Sequence, residues 1–170
     1  MRKIFLVVTI FTFLLSCSTN SKNAESYFDN ALINYKGEKY ALASNEIDSA
    51  LKLDTTTNEY FFLKAKIKNM SNYFSESNEI LQSLVRKKFK LDSVNYLIAR
   101  NYFQSIHDNL NENIKDSLYK NAILYNENAI NINAEYSDAY FEKIKVLVSE
   151  EKYSEAMNVT NYAQKIFPNE

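Results

Sequence analysis

One glycine, one proline, one cysteine, one histidine and no tryptophan occur in 170 residues. Hairpins and sheet corners draw on Gly and Pro, so the near absence of both excludes a sheet-rich fold. Gly37 alone cannot build a glycine-rich phosphate cradle. His107 alone cannot supply a two-histidine metal motif, and Cys17 alone leaves no disulfide and no cysteine cluster. Lys and Arg number 20 against 21 Asp and Glu, a net charge of -1, so no general positive field draws the chain to nucleic acid. The carboxylates are scattered: Glu150-Glu151 falls at a helix junction, and Asp108 with Glu112 suits a turn and a cap better than an acid-base pair. His107 suits a solvated loop better than a general base. No enzyme, cofactor or metal site is expected.

What the chain has instead is a period of 34 residues. Tyr27, Ala31, Tyr40, Ala43, Ile47 and Ala50 fall one period before Phe61, Ala65, Phe74, Ser77, Leu81 and Leu84. A third copy starts at Ala99 and Tyr102 and resumes, after an insertion, at Tyr119, Ala122 and Ala129. The fourth reads Tyr140, Tyr153, Ala156, Ala163 and Pro168. Within each unit, apolar residues recur three, four and seven apart, as in Ala43, Ile47, Ala50 and Leu51, which gives a helix one adhesive face. One such helix cannot bury that face alone, so neighbours must stack. The units are 24–57, 58–91, 92–136 and 137–170, the third lengthened by about 106–117. Leu110, Ile114 and Leu118 keep a helical spacing there, so the insertion is either extra turns on the following helix or a mobile loop.

This period and residue pattern resemble the tetratricopeptide repeat, most clearly in Tyr-x-x-Ala at Tyr40, Tyr119 and Tyr153 and in the alanines Ala50, Ala129 and Ala163. The resemblance implies an all-α solenoid of four antiparallel helix pairs in a right-handed superhelix. The family's first-helix glycine is replaced by Ala31, Ala65, Ala99 and then Ile144, and Lys64, Lys68 and Asn126 stand where the family is usually apolar. In the family, the fifth and ninth residues of each unit line a concave groove. Here these are Phe28, Phe62, Tyr96 and Phe141, and Leu32, Lys66, Arg100 and Lys145. An aromatic row beside a row of cations would complement an acidic peptide or a terminal carboxylate; alternatively the aromatics pack unit on unit and the cations are merely solvated. The family's carboxylate clamp, Lys at the fifth position and Asn at the ninth, is absent.

The first 17 residues differ in kind. Arg2 and Lys3 precede the 12-residue apolar run Ile4 to Leu15, which is too short for a bilayer-spanning helix of about 20 residues but fits the centre of a secretory signal. Leu14-Leu15-Ser16-Cys17 resembles the lipobox of bacterial lipoproteins, which implies a signal peptide over 1–16, acylation at Cys17 and a polar tether over 17–23. Ser18 in place of aspartate implies the outer membrane. Arg86-Lys87-Lys88 with Lys90 suits the negative end of a helix dipole, or a patch for anionic lipid or an acidic partner. The expectation is therefore a lipid-anchored adaptor or scaffold of a bacterial cell envelope that binds another protein or peptide. The alternative is a glycan-binding envelope protein. Nothing resembling a polar capping helix follows Pro168, so the last unit is a candidate surface for self-association.

Overall fold

The computed structural model describes residues 23–107 and 111–168. Cys17, the segment before it and Asp108 lie outside these residues. Eight helices follow in order among the described residues: α1 Ala24–Lys36, α2 Tyr40–Leu53, α3 Asn58–Met70, α4 Phe74–Arg86, α5 Leu91–Gln104, α6 Glu112–Ile132, α7 Ser137–Ser149 and α8 Tyr153–Ile166. Each helix packs on its neighbours in the chain, and α1 on α3, α3 on α5 and α5 on α7 bring the first helices of successive pairs into contact. The first helices thus form one continuous face.

Alanine sets the spacing within each pair. Ala31, Ala65 and Ala99 on first helices and Ala43, Ala50, Ala122 and Ala129 on second helices have no exposed surface. With only a methyl group at each crossing, backbones approach closely, and a larger side chain would force its neighbours off their rotamers. Ile47, Leu81, Leu84 and Ile98 fill the space between crossings and are fully buried, each worth about 1.5–3 kcal/mol relative to exposure. At the fourth pair, where Ile144 replaces alanine, that side chain lines a shallow cavity of about 90 Å³ with Phe141, Ala163 and Phe167 at the end of the stack.

The turns show how a chain without spare glycine ends its helices. At α1 the amide of Glu38 donates to the Tyr35 carbonyl and that of Lys39 to the Asn34 carbonyl, the paired bonds of a left-handed helix stop. The same two bonds recur after α3, α4 and α7. The residues holding the left-handed conformation are Glu38, Asn72, Lys88 and Glu151, with φ between 54° and 63°. Gly37 stands one residue too early, at φ -86°, so the only glycine is not where a glycine would relieve strain. Between α2 and α3 the work falls to Asp54, which accepts from the Thr57 hydroxyl at 2.6 Å and from the hydroxyl and amide of Thr56 at 2.7 Å. Those hydrogen bonds hold its carboxyl at about 2.

The polar residues at nominally apolar positions each find a partner. Lys64 pairs with Asp48 at 2.7 Å and Lys68 with Glu76 at 2.6 Å. Asn126, fully buried, donates to the Ala122 carbonyl at 3.0 Å while its own side-chain oxygen has no hydrogen-bond partner. A larger network joins α3, α4 and α5. Asn69 donates to Asn101 and Gln104, both at 2.6 Å; Asn101 donates to Ser77 at 2.9 Å and Asn78 at 2.7 Å; Ser77 donates to the Ala65 carbonyl at 2.8 Å.

α6 is 21 residues long where α2 has 14, and the extra turns precede Tyr119. Asn111 caps them by accepting from the amides of Asn113 and Ile114. The Tyr119 hydroxyl meets the Ser149 hydroxyl at 2.9 Å, which ties the extended helix to the end of α7. His107 is exposed beside Phe103.

Candidate functional site

Four of the residues that the repeat register places on the first-helix face meet in one cavity of about 300 Å³. Phe62 and Lys66 come from α3, Tyr96 and Arg100 from α5. Their spacing explains the meeting: Phe62 and Lys66, like Tyr96 and Arg100, are four apart and so share a helix face. The α3–α5 contact brings the two pairs side by side. Tyr35 of α1 closes one end of the cavity, and Tyr136 and Asp138 at the start of α7 close the other.

The walls are aromatic. Phe62 meets Phe89 edge-on with ring centres 6.0 Å apart, and Tyr96 meets Tyr136 edge-on at 5.5 Å, the geometry preferred by ring quadrupoles. Lys66 Nζ lies 5.2 Å from the centre of the Tyr35 ring and 5.8 Å from that of Phe62. Lys90 Nζ lies 5.1 Å from the Phe89 ring. Ring faces take the place of ion pairs for the two amines: among the described residues, neither Lys66 nor Lys90, nor the Arg100 guanidinium, forms an ion pair with a carboxylate. Burial holds the Lys66 amine below its usual pKa, and the nearby cations Lys90 and Lys36 push it the same way. Burial raises the hydroxyls of Tyr35 and Tyr96, with Arg100 opposing in both cases. The α3–α5 side of the cavity therefore carries positive charge that is partly desolvated and not ion-paired, a state that an incoming anion would relieve.

The remaining four register positions lie elsewhere. Phe28 and Leu32 pack against the first core cluster, Phe28 with its ring 4.9 Å from that of Tyr60. Phe141, 45% exposed, belongs to the end cavity beside α8. Lys145 is held by Glu142 one turn earlier, Nζ to oxygen 3.3 Å, so the row of cations ends at Arg100. The basic run near the end of α4 is divided: Lys87 lies over the Phe61 ring and donates to Asn58 at 3.1 Å, whereas Lys90, at φ 38°, turns to Phe62 and Phe89. Larger clefts of about 590 and 500 Å³ open beside the second helices, away from the first-helix face, with Arg86 and Glu79 in one and Lys143, paired to Glu127, in the other.

Register alone does not reach Tyr35, Lys90, Tyr136 and Asp138. Tyr35, near the end of α1, and Tyr136, just before α7, enter the cavity only because neighbouring helices stack, and Lys90 reaches the rings beside it through a left-handed turn.

No protein-family model matches the chain, and no curated protein matches its sequence. Solved structures do. TTC0263, a thermophilic TPR protein in Thermus thermophilus, superimposes with a TM-score of 0.75 at 13% identity, covering 84% of this chain and 74% of that one. The fold is that of tetratricopeptide repeats. MamA, residues 41 to the end, from Desulfovibrio magneticus RS-1 follows at 0.73 and 13% identity, covering 89% of this chain and 79% of that one. A crystal structure of MamA gives 0.70 at 16% identity over 86% and 79%. At such identities the likeness is one of backbone, and the cavity residues rest on this chain's own geometry.

Proposed function

We propose that this tetratricopeptide-fold chain is a non-catalytic peptide-binding adaptor, anchored through Cys17 to the outer membrane of a bacterial cell envelope and facing the periplasm. The observation that carries the binding half is the Lys66–Arg100 pair, unpaired with any described carboxylate in an aromatic-walled cavity on the first-helix face. An extended segment with a carboxylate and an apolar side chain satisfies both features at once. Sugar binding is less well served, because the cavity's one amide, Asn69, already donates to Asn101 and Gln104. The anchoring half rests on Arg2, Lys3, the apolar run and Ser16-Cys17.

Two measurements test these halves. With a photoreactive benzoylphenylalanine in place of Tyr96, irradiation of envelopes should give an adduct that an excess of a peptide carrying one carboxylate side chain beside an apolar one abolishes. The same group in place of Tyr153, 63% exposed on α8, should give none; adducts from position 153 alone would reject the site. Metabolic labelling with a fatty-acid analogue should mark the wild type and miss Cys17→Ala, and equal labelling would reject the anchor.

A further inference from the structure

The cavity is not uniformly positive, and the division follows the stacking of the helices. On the α3–α5 side stand Lys66 and Arg100, with Lys90 over the neighbouring rings. On the α7 side stands Asp138, one turn before Glu142, whose charge is already met by Lys145. Tyr96 of α5 lines the same cavity and meets Tyr136, two residues before Asp138, with ring centres 5.5 Å apart. A run of acids along this surface would satisfy Lys66 and Arg100 but bring a carboxylate against Asp138, which has no ion pair among the described residues. At about 300 Å³ the cavity is worth about ten waters at ~30 Å³ each, the scale of two or three side chains rather than of a large ligand.

We propose that the cavity selects a peptide of divided charge: one carboxylate side chain against Lys66 and Arg100, an apolar ring over Tyr96, and a basic residue against Asp138. This deepens the peptide-binding reading and rests on it. Charge of opposite sign on two walls does more than attract. It fixes the register of the segment, and it rejects uniformly acidic partners by like-charge contact.

The test uses the full chain in detergent and three fluorescein-labelled peptides that differ only in a central Glu-Phe-Lys, Glu-Phe-Glu or Gln-Phe-Gln, with anisotropy read at low and moderate salt. Wild type should bind Glu-Phe-Lys about fivefold more tightly than Glu-Phe-Glu, a preference that shrinks as salt rises. Asp138→Asn should bring the two together, and Asp138→Lys should reverse their order. Thermal melts of both variants guard against loss of the α7 start, and the milder Asn change keeps the test open if the Lys variant melts early. Equal or tighter binding of Glu-Phe-Glu by wild type, or a preference unaltered in Asp138→Asn, overturns the division of charge while leaving an anion site in place. Binding of Gln-Phe-Gln as tight as the other two overturns the anion site itself, and the peptide-binding reading with it.

Discussion

Asn101→Leu should lower the stability of the folded chain by about 2–4 kcal/mol, while Asn126→Leu should leave it unchanged or raise it by up to about 1 kcal/mol. Both asparagines are fully buried, and both occupy places where other units carry an aliphatic side chain: Ile67 and Val146 for Asn101, Ile47 and Leu81 for Asn126. Pattern alone would judge the two replacements alike. The hydrogen bonds separate them. Asn101 accepts from Asn69 and donates to Ser77 and Asn78, so leucine there strands an Asn69 N–H inside the core between α3 and α5. Stranding a buried donor costs its full desolvation, about 1–3 kcal/mol, on top of the bonds lost. Asn126 bonds only to a carbonyl of its own helix and leaves its oxygen unmatched, so leucine removes an existing penalty at similar volume. Urea titrations of the two variants decide the matter through the midpoint at constant slope. An unaffected Asn101→Leu would show that the network does not hold the second and third helix pairs together, and a destabilised Asn126→Leu that the unmatched oxygen carries no penalty.

The repeat was legible because it obeys a spacing that stacking imposes. Alanines at 31, 65 and 99 recur at a fixed interval since each meets the same crossing, and aromatic positions recur since each fills the same gap between units. Half of the candidate site followed from that same rule, because Phe62, Lys66, Tyr96 and Arg100 are copies of one position pair on adjacent helices. The other half depended on what a repeat rule omits. Lys145 has the right register, but Glu142 lies three residues before it on the same helix and takes its charge. Phe28 has the right register too, yet the Tyr60 ring draws it into the core. Tyr136 carries no periodic signal, since it belongs to the junction entering α7; Asp138 repeats the first-turn acids Glu25 and Glu59, which read as helix-dipole partners rather than as a cavity wall; and Lys90 reaches the Phe62 and Phe89 rings through a backbone turn that no side-chain pattern announces. The polar network was hidden for a related reason. A buried asparagine reads as a flaw in an apolar stripe until its partners, 23 to 35 residues away along the chain, are brought beside it.

Arg100→Glu should weaken binding of the Glu-Phe-Lys peptide by about a hundredfold or more while leaving the melting temperature nearly unchanged. The guanidinium shares its cavity with Lys66 and has no ion pair among the described residues, so no ion pair is broken when it is replaced. Reversal in fact gives Lys66 an anionic neighbour. For the ligand the same change removes one attraction and adds one repulsion in a partly desolvated site, where losses of about 2–5 kcal/mol are usual, and each 1.4 kcal/mol is about a factor of ten. Lys87→Glu should do neither, because Lys87 lies over Phe61 on a separate part of the surface. Lys145→Glu discriminates further: on register alone it equals Arg100, but with its amine already held by Glu142 its reversal should cost less than a factor of about five at moderate salt. Anisotropy titrations and melts of the three variants give the ranking. If Lys145→Glu or Lys87→Glu impairs binding as much as Arg100→Glu, the anion site is not the Lys66–Arg100 cavity, and the cations farther along the stack would have to carry the contact instead.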